Sequence, residues 1–138
     1  MFIDASAIVA IINEEPGSDE IVRRIEDHKG QRFVSPLVRF EVVAAVARSR
    51  SGATRPTSEQ CETAEKTVDA FCASIGAKDI TITPSVGAKA LMAARTYGKM
   101  VGHEADLNFG DCFAYACARA YNARLVYKGN DFLKTDMA

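Results

Sequence analysis

The stretch MFIDASAIVAII, residues 1–12, passes from a strand pattern to a helix pattern with no loop between them. MFIDA predicts a short buried strand, and SAIVAII predicts the helix that follows it. Further strand segments alternate with helical ones along the chain: RFVS (32–35), DITIT (79–83) and ARLVYKG (123–129). This alternation predicts an α/β fold, a three-layer α/β/α sandwich with a mainly parallel sheet.

Capping residues, prolines and glycines mark where the intervening helices begin and end. The predicted helices run from Ser18 to Gly30, from Ser35-Pro36 to about Ser49, from Thr57 (with capping-box spacing to Gln60) to Gly76, from Pro84-Ser85 to about Gly98, and over the apolar stretch after Asp111.

The composition suits one compact domain over residues 1–138, because 48% of the 138 residues are hydrophobic. The formal net charge of -1 gives no general support to nucleic-acid binding. The four cysteines include no CxxC pair, so we expect reduced thiols in a cytoplasmic protein. Asp4 interrupts the apolar N-terminus and no basic leader precedes it, so we expect neither a signal peptide nor a membrane span.

Four acidic residues are placed at what should be one edge of the sheet. Asp4 ends the first strand and Asp131 follows the last, whereas Glu41 and Asp111 lie in the first or second turn of their helices. Helices that follow a parallel strand or its loop begin at the edge where the strands end, and ligands bind outside that edge. We therefore expect the four carboxylates to lie close together.

Four neighbouring carboxylates do not all stay ionised unaided, because each raises the pKa of the others. A divalent cation removes this conflict, and an all-oxygen set without His or Cys favours Mg²⁺ or Mn²⁺ over zinc. Mg²⁺ takes one or two carboxylates and leaves positions open for phosphate oxygens, so the site suits phosphoryl chemistry. Ser6 either orients Asp4 or caps the first helix, and the sequence does not decide between these roles.

Each acid also has a structural explanation. Asp111 alone is explained equally well as a helix cap, Asp4 as an acceptor for backbone N–H groups, and Asp131 as a turn residue. Glu41 is harder to explain, because it lies within the otherwise apolar LVRFEVVAAV, residues 37–46. Four separate structural explanations for four acids at one edge of the sheet are less plausible than one site that they share.

Four segments resemble, in order and spacing, the PIN-domain ribonucleases, specifically the VapC-type toxins of bacterial toxin–antitoxin pairs. These segments are FIDASAIVAII (2–12), SPLVRFEVVAAV (35–46), LNFGDCFAYACA (107–118) and LVYKGNDFLKTDM (125–137). The resemblance covers essentially the whole chain. It implies an endoribonuclease that uses Mg²⁺ or Mn²⁺, forms homodimers, and is inhibited by a VapB-type antitoxin that inserts a segment into the active-site groove.

The resemblance also implies roles for individual residues. It makes Asp4, Glu41, Asp111 and Asp131 the catalytic acids, with Asp4 and Asp111 as the metal ligands and Ser6 as the hydroxyl residue beside the first of them. The fourth acid is open between Asp131 and Asp136, and Asp131 is preferred because it lies nearer the strand end. Phosphate contacts of the RNA are expected from Arg39, Arg48 and Lys128, with Arg50, Arg55, Lys99 and His103 as further candidates.

Two other classes of protein also place an aspartate after a first strand. A phosphatase of the haloacid-dehalogenase type needs a second aspartate two residues later, where this chain has Ser6. A non-catalytic α/β interaction module, such as a phosphoacceptor receiver, needs several acids after that strand, and only Asp4 is present. The sequence leaves both as alternatives to the nuclease.

Overall fold

A computed structural model describes every residue from Met1 to Ala138. Its elements follow in the order β1 (Phe2–Ile3), α1 (Ala5–Ile12), α2 (Ser18–Asp27), β2 (Arg32–Val34), α3 (Pro36–Ser51), α4 (Ser58–Ser74), β3 (Ala77–Asp79), α5 (Pro84–Tyr97), a 3₁₀ turn (Lys99–Val101), α6 (Phe109–Ala120) and β4 (Leu125–Val126). No helix is both long and apolar enough to cross a lipid bilayer.

The four strands form one parallel sheet in the order β3-β2-β1-β4. Phe2 and Ile3 of the inner strand β1 point to opposite faces of the sheet, and both are fully buried. Helices therefore cover both faces, and the predicted three-layer α/β/α architecture is confirmed.

The strand order reverses at β1. The chain continues from β1 to β2 and β3 on one side, and it returns with β4 on the other side. Open parallel sheets bind ligands outside the carboxyl ends of their strands at such a reversal. The segments that follow β1 and β4 are therefore the expected place for a functional site.

Two helices, α3 and α4, begin at the predicted caps. Ser35 accepts a hydrogen bond from the third residue of α3, and Thr57 and Gln60 form the predicted capping box at α4. The expectation for Ser18 is wrong, because α2 is preceded by Gly17 at φ 86° and no side chain caps it. This left-handed conformation suits glycine, which has no Cβ to clash.

The strand predicted over DITIT (79–83) is also misplaced, since β3 covers Ala77–Asp79. The N–H of Ile80 still donates to the carbonyl of Val34, at 2.9 Å. Beyond that point β2 has ended and α3 begins at Pro36, so no neighbouring strand remains to continue the ladder. The alternation in DITIT reflects packing of Ile80 against the core rather than strand pairing.

Candidate active site

Asp4 is buried at the carboxyl end of β1 and caps α1. Its Oδ2 accepts hydrogen bonds from the backbone N–H of Ser6 at 2.9 Å and from the Ser6 hydroxyl at 2.5 Å. The same hydroxyl accepts a hydrogen bond from the N–H of Lys128 at 3.0 Å. Ser6 therefore fixes the position of the Asp4 carboxylate and links it to the loop after β4. Asp4, and not Ser6, is the N-cap of α1.

We expect Ser6→Ala to lower the free energy of unfolding by about 1–3 kcal/mol, because it leaves the N–H of Lys128 without its acceptor. Chemical denaturation followed by circular dichroism measures this change. Ser74→Ala is the matched control, since that exposed hydroxyl only donates to the carbonyl of Phe71. Equal stabilities of the two variants would show that the Ser6 bonds contribute nothing.

Glu41 lies in the second turn of α3, half-buried, and it neither accepts a hydrogen bond nor forms an ion pair. Burial raises its pKa to about 7, and the negative charges of Asp4 and Asp111 add to this effect. The side chain is thus an unpaired carboxylate that faces two others.

Asp111 is the third residue of α6 and forms a capping box with Asn108. Its Oδ2 accepts a hydrogen bond from the Asn108 N–H at 2.8 Å, and the Asn108 Oδ1 accepts one from the Asp111 N–H at 3.1 Å. The expectation that Asp111 caps its helix is therefore wrong, because Asn108 is the N-cap and Asp111 completes the capping box through Oδ2, while its Oδ1 accepts no hydrogen bond. Burial raises the pKa of Asp111 to about 6, opposed by the Asn108 N–H and reinforced by the charges of Asp4 and Asp131.

The structure distinguishes the two candidates for the fourth acid. Asp131 is exposed just after Gly129, and its negative charge helps to raise the pKa of both Asp4 and Asp111. Asp136 instead accepts a hydrogen bond from the Tyr115 hydroxyl at 2.9 Å and pairs with Arg119. Asp131, and not Asp136, therefore lies with the other acids.

The four predicted acids thus form one acidic cluster, defined as Asp4, Glu41, Asp111 and Asp131. Burial is the main cause of the raised pKa values of the first three, and charges within the cluster raise them further. No three acidic, histidine or cysteine side chains are arranged to hold one metal ion. The chemistry of the set, carboxylate oxygens without His or Cys, is the kind that Mg²⁺ or Mn²⁺ prefers, and Mg²⁺ needs only one or two carboxylates because it keeps several of its waters.

The raised pKa of Glu41 predicts how stability depends on pH. The folded protein binds this proton more tightly than the unfolded chain, so stability is lost as the pH rises from the ordinary value of 4.5 through about 7. We expect Glu41→Gln to remove this loss and to raise the melting temperature above that of wild type near pH 8, but not near pH 4. Thermal unfolding in EDTA across this range measures the difference. A difference that is the same at every pH would contradict the assignment.

The three main candidates for RNA contacts have different surroundings. Arg39 forms ion pairs with Asp79 at 2.7 Å and Asp69 at 2.9 Å, which join α3 to β3 and α4. Lys128 pairs with Glu15 at 2.6 Å. Arg48 is exposed and forms no ion pair, and it lies two helical turns after Glu41, about 10 Å further along the same face of α3.

Three residues near the acidic cluster were not identified from the sequence. The spacing of Asn108 and Asp111 is that of a capping box, so this pair had a detectable signal. The Glu15 partner of Lys128 is 113 residues away in the chain, and nothing local indicated it. Gly110 lies against the Glu41 carboxylate, a contact that depends on the packing of α3 against α6.

The comparisons with known proteins agree on one family. The model of the PIN domain matches residues 1–137. A VapC ribonuclease of Rhizobium meliloti (strain 1021) is 48% identical over 139 residues, which cover 99% of this chain and 98% of that protein. Ribonuclease VapC30 of Mycobacterium tuberculosis (strain ATCC 25618 / H37Rv) is 33% identical over 139 residues, which cover all of this chain and 96% of that protein.

A solved structure shares the fold. The crystal structure of VapC20 from Mycobacterium tuberculosis, a toxin that cleaves the sarcin-ricin loop, matches with a TM-score of 0.67 at 18% sequence identity. The match covers 96% of this chain and 92% of that one. With the acidic cluster at the reversal of a parallel sheet and relatives matched over nearly their full length, the chain belongs to the PIN-domain family and, within it, to the VapC ribonucleases.

Proposed function

We propose that the protein is a metal-dependent endoribonuclease, a VapC-type toxin that hydrolyses phosphodiester bonds of RNA. The observation that carries this proposal is the acidic cluster, in which burial and like charge raise the pKa of three carboxylates. The names of the relatives point to the same chemistry, since each is a VapC ribonuclease. Residues 1–138 form a single PIN-like nuclease domain in this proposal.

Asp4 and Asp111 are the proposed ligands of Mg²⁺ or Mn²⁺. Asp4 is fixed by its two hydrogen bonds from Ser6, and Asp111 has one oxygen free of hydrogen bonds. When bound, the ion would polarise the scissile phosphate and lower the pKa of the attacking water.

Glu41 and Asp131 complete the proposed site. Because Glu41 has no hydrogen-bonding partner of its own, it is free to orient the attacking water and to accept its proton. Asp131 is exposed at the rim of the cluster, where it is accessible to substrate or to water bound around the ion. Among the basic candidates, Arg48 is best suited to bind an RNA phosphate, since Arg39 and Lys128 are already paired with acids.

The proposed protein partners are a second copy of the chain and a VapB-type antitoxin. A cavity of about 930 Å³ between α5 and α6 has a mostly apolar lining and is bordered by the exposed side chains of Leu91, Met100 and Phe109. Exposed apolar surfaces of this kind are typical of protein interfaces. Phe109 is two residues from Asp111, so a segment bound in this cavity has a short path to the acidic cluster.

The four cysteines form no disulfide, which supports the proposal that the protein acts in the reducing cytoplasm. Membership of the PIN family removes the basis for the phosphatase and receiver hypotheses. No specific observation favours a second function.

The proposal is tested by incubating the purified protein with total RNA and with a defined single-stranded oligonucleotide. We expect internal cleavage in Mg²⁺ or Mn²⁺, loss of cleavage in EDTA, and recovery when the metal is added back in excess. Glu41→Gln prepared in parallel excludes a contaminating nuclease. Cleavage that persists in EDTA, or in Glu41→Gln at the wild-type rate, would overturn the proposed mechanism.

A further inference from the structure

Gly110 packs directly against the carboxylate of Glu41. A Cβ built on Gly110 would lie 2.7 Å from both Cδ and Oε2 of Glu41 and would overlap Oε1. Gly110 is buried in the first turn of α6, and its φ is not in the left-handed region. The helix backbone therefore does not require glycine at this position, but the space occupied by Glu41 does.

The polar groups around the Glu41 carboxylate do not fix its position. It accepts no hydrogen bond and forms no ion pair, and the charges that face it, from Asp4 and Asp111, repel it. Glycine in a helix is less stable than alanine, so its presence here is a cost to α6. Because Gly110 has no side chain, there is a slot beside its backbone, and the Glu41 carboxylate lies in this slot.

We propose that Gly110 is a positioning residue, whose bare backbone holds the Glu41 carboxylate beside Asp4 and Asp111. This inference rests on the proposed function, in which Glu41 acts on the attacking water. Any side chain at position 110 displaces the carboxylate, because the overlapping atoms are the far end of a flexible side chain and not backbone. The fold then survives while the geometry of the site is lost.

The test compares Gly110→Ala with Gly87→Ala in α5, where an added Cβ meets nothing within 4 Å. We expect Gly110→Ala to lower the RNA cleavage rate about 100-fold, the loss typical of a catalytic group misplaced by about 1 Å. Its melting temperature should not fall, and its crystal structure should show the Glu41 carboxylate displaced. Gly87→Ala should leave the cleavage rate unchanged, and it should not lower the melting temperature either, because alanine is the better helix former.

A double variant separates positioning from a general effect on α6. Glu41→Asp withdraws the carboxylate from position 110 by one methylene, so adding Gly110→Ala to it should reduce cleavage far less than in the wild-type background. If Gly110→Ala reduced the cleavage rate by the same factor in the Glu41→Asp background as in wild type, the inference would be overturned. Wild-type cleavage by Gly110→Ala, with Glu41→Gln inactive, would overturn it and leave the proposed nuclease intact. Full cleavage by Glu41→Gln would overturn the role of Glu41 and the inference with it.

Discussion

Asp111→Asn should abolish RNA cleavage, by at least about a thousandfold, while the protein stays folded. Loss of one ligand of a catalytic metal removes several kcal/mol of transition-state stabilisation, and each 1.4 kcal/mol is about tenfold in rate. The fold survives because the Asn side-chain oxygen still accepts the hydrogen bond from the Asn108 N–H, which keeps the capping box. Gel assays of cleavage with matched circular dichroism spectra measure both results.

Asp106→Asn is the matched control for this substitution. Asp106 lies five residues before Asp111, is exposed, and has a φ of 51°, a backbone conformation that asparagine tolerates well. Its only ion pair is a distant one with Lys99, at 3.8 Å, and among the charges that raise the pKa of Asp111 its own has the smallest effect. The control should cleave RNA at the wild-type rate, and wild-type cleavage by Asp111→Asn as well would remove that residue from the mechanism.

Addition of Mg²⁺ or Mn²⁺ should raise the melting temperature by several degrees at neutral pH. An ion at 100 times its dissociation constant stabilises the fold by about 2.7 kcal/mol, and a change of 1 kcal/mol shifts the melting temperature of a chain this size by about 2–8 °C. The effect should shrink near pH 5, because protons then compete with the ion for the proposed ligand Asp111, whose pKa is about 6, and remove the nearby negative charge of Glu41, whose pKa is about 7. Differential scanning fluorimetry across pH measures this.

Two controls make the thermal shift specific. KCl at equal ionic strength accounts for general screening of the acidic cluster. Asp4→Asn should lose most of the shift caused by the divalent ion while keeping the hydrogen bonds from Ser6, since Asn also presents an oxygen acceptor. An equal shift in this variant and in wild type would mean that the ion binds elsewhere.

Much of the fold followed from local patterns. The change from strand to helix around Asp4, and the prolines that begin α3 and α5, are short-range signals that the structure reproduces. The grouping of the acids was predictable as well, because strand ends and helix starts share one edge of a parallel sheet. That topological rule brought together residues as distant in sequence as Asp4 and Asp131.

The errors and omissions have a common physical origin in tertiary contacts. The end of β3 is set by where its neighbour β2 stops, which the alternation in DITIT does not record. The pairing of Arg39 with Asp69 and Asp79 depends on α3 packing against α4. The slot at Gly110 exists only because α6 approaches Glu41 on another helix.

Asp111 shows why opposing explanations of one residue need not exclude each other. One of its oxygens completes the capping box that Asn108 begins, and the charge of Asp4 raises the pKa of the same carboxyl group. The capping box is what holds this carboxylate in one orientation at the head of an apolar helix. A structural role and the proposed catalytic role are thus served by the same side chain.

The most direct measurement is a crystal structure of the protein soaked in Mn²⁺, with anomalous diffraction used to locate the ion. Our account predicts a peak within bonding distance of carboxylate oxygens of both Asp4 and Asp111, which Asp111→Asn crystals should lose or show much weakened. A peak at other residues, or none at the acidic cluster under conditions in which the protein cleaves RNA, would contradict it.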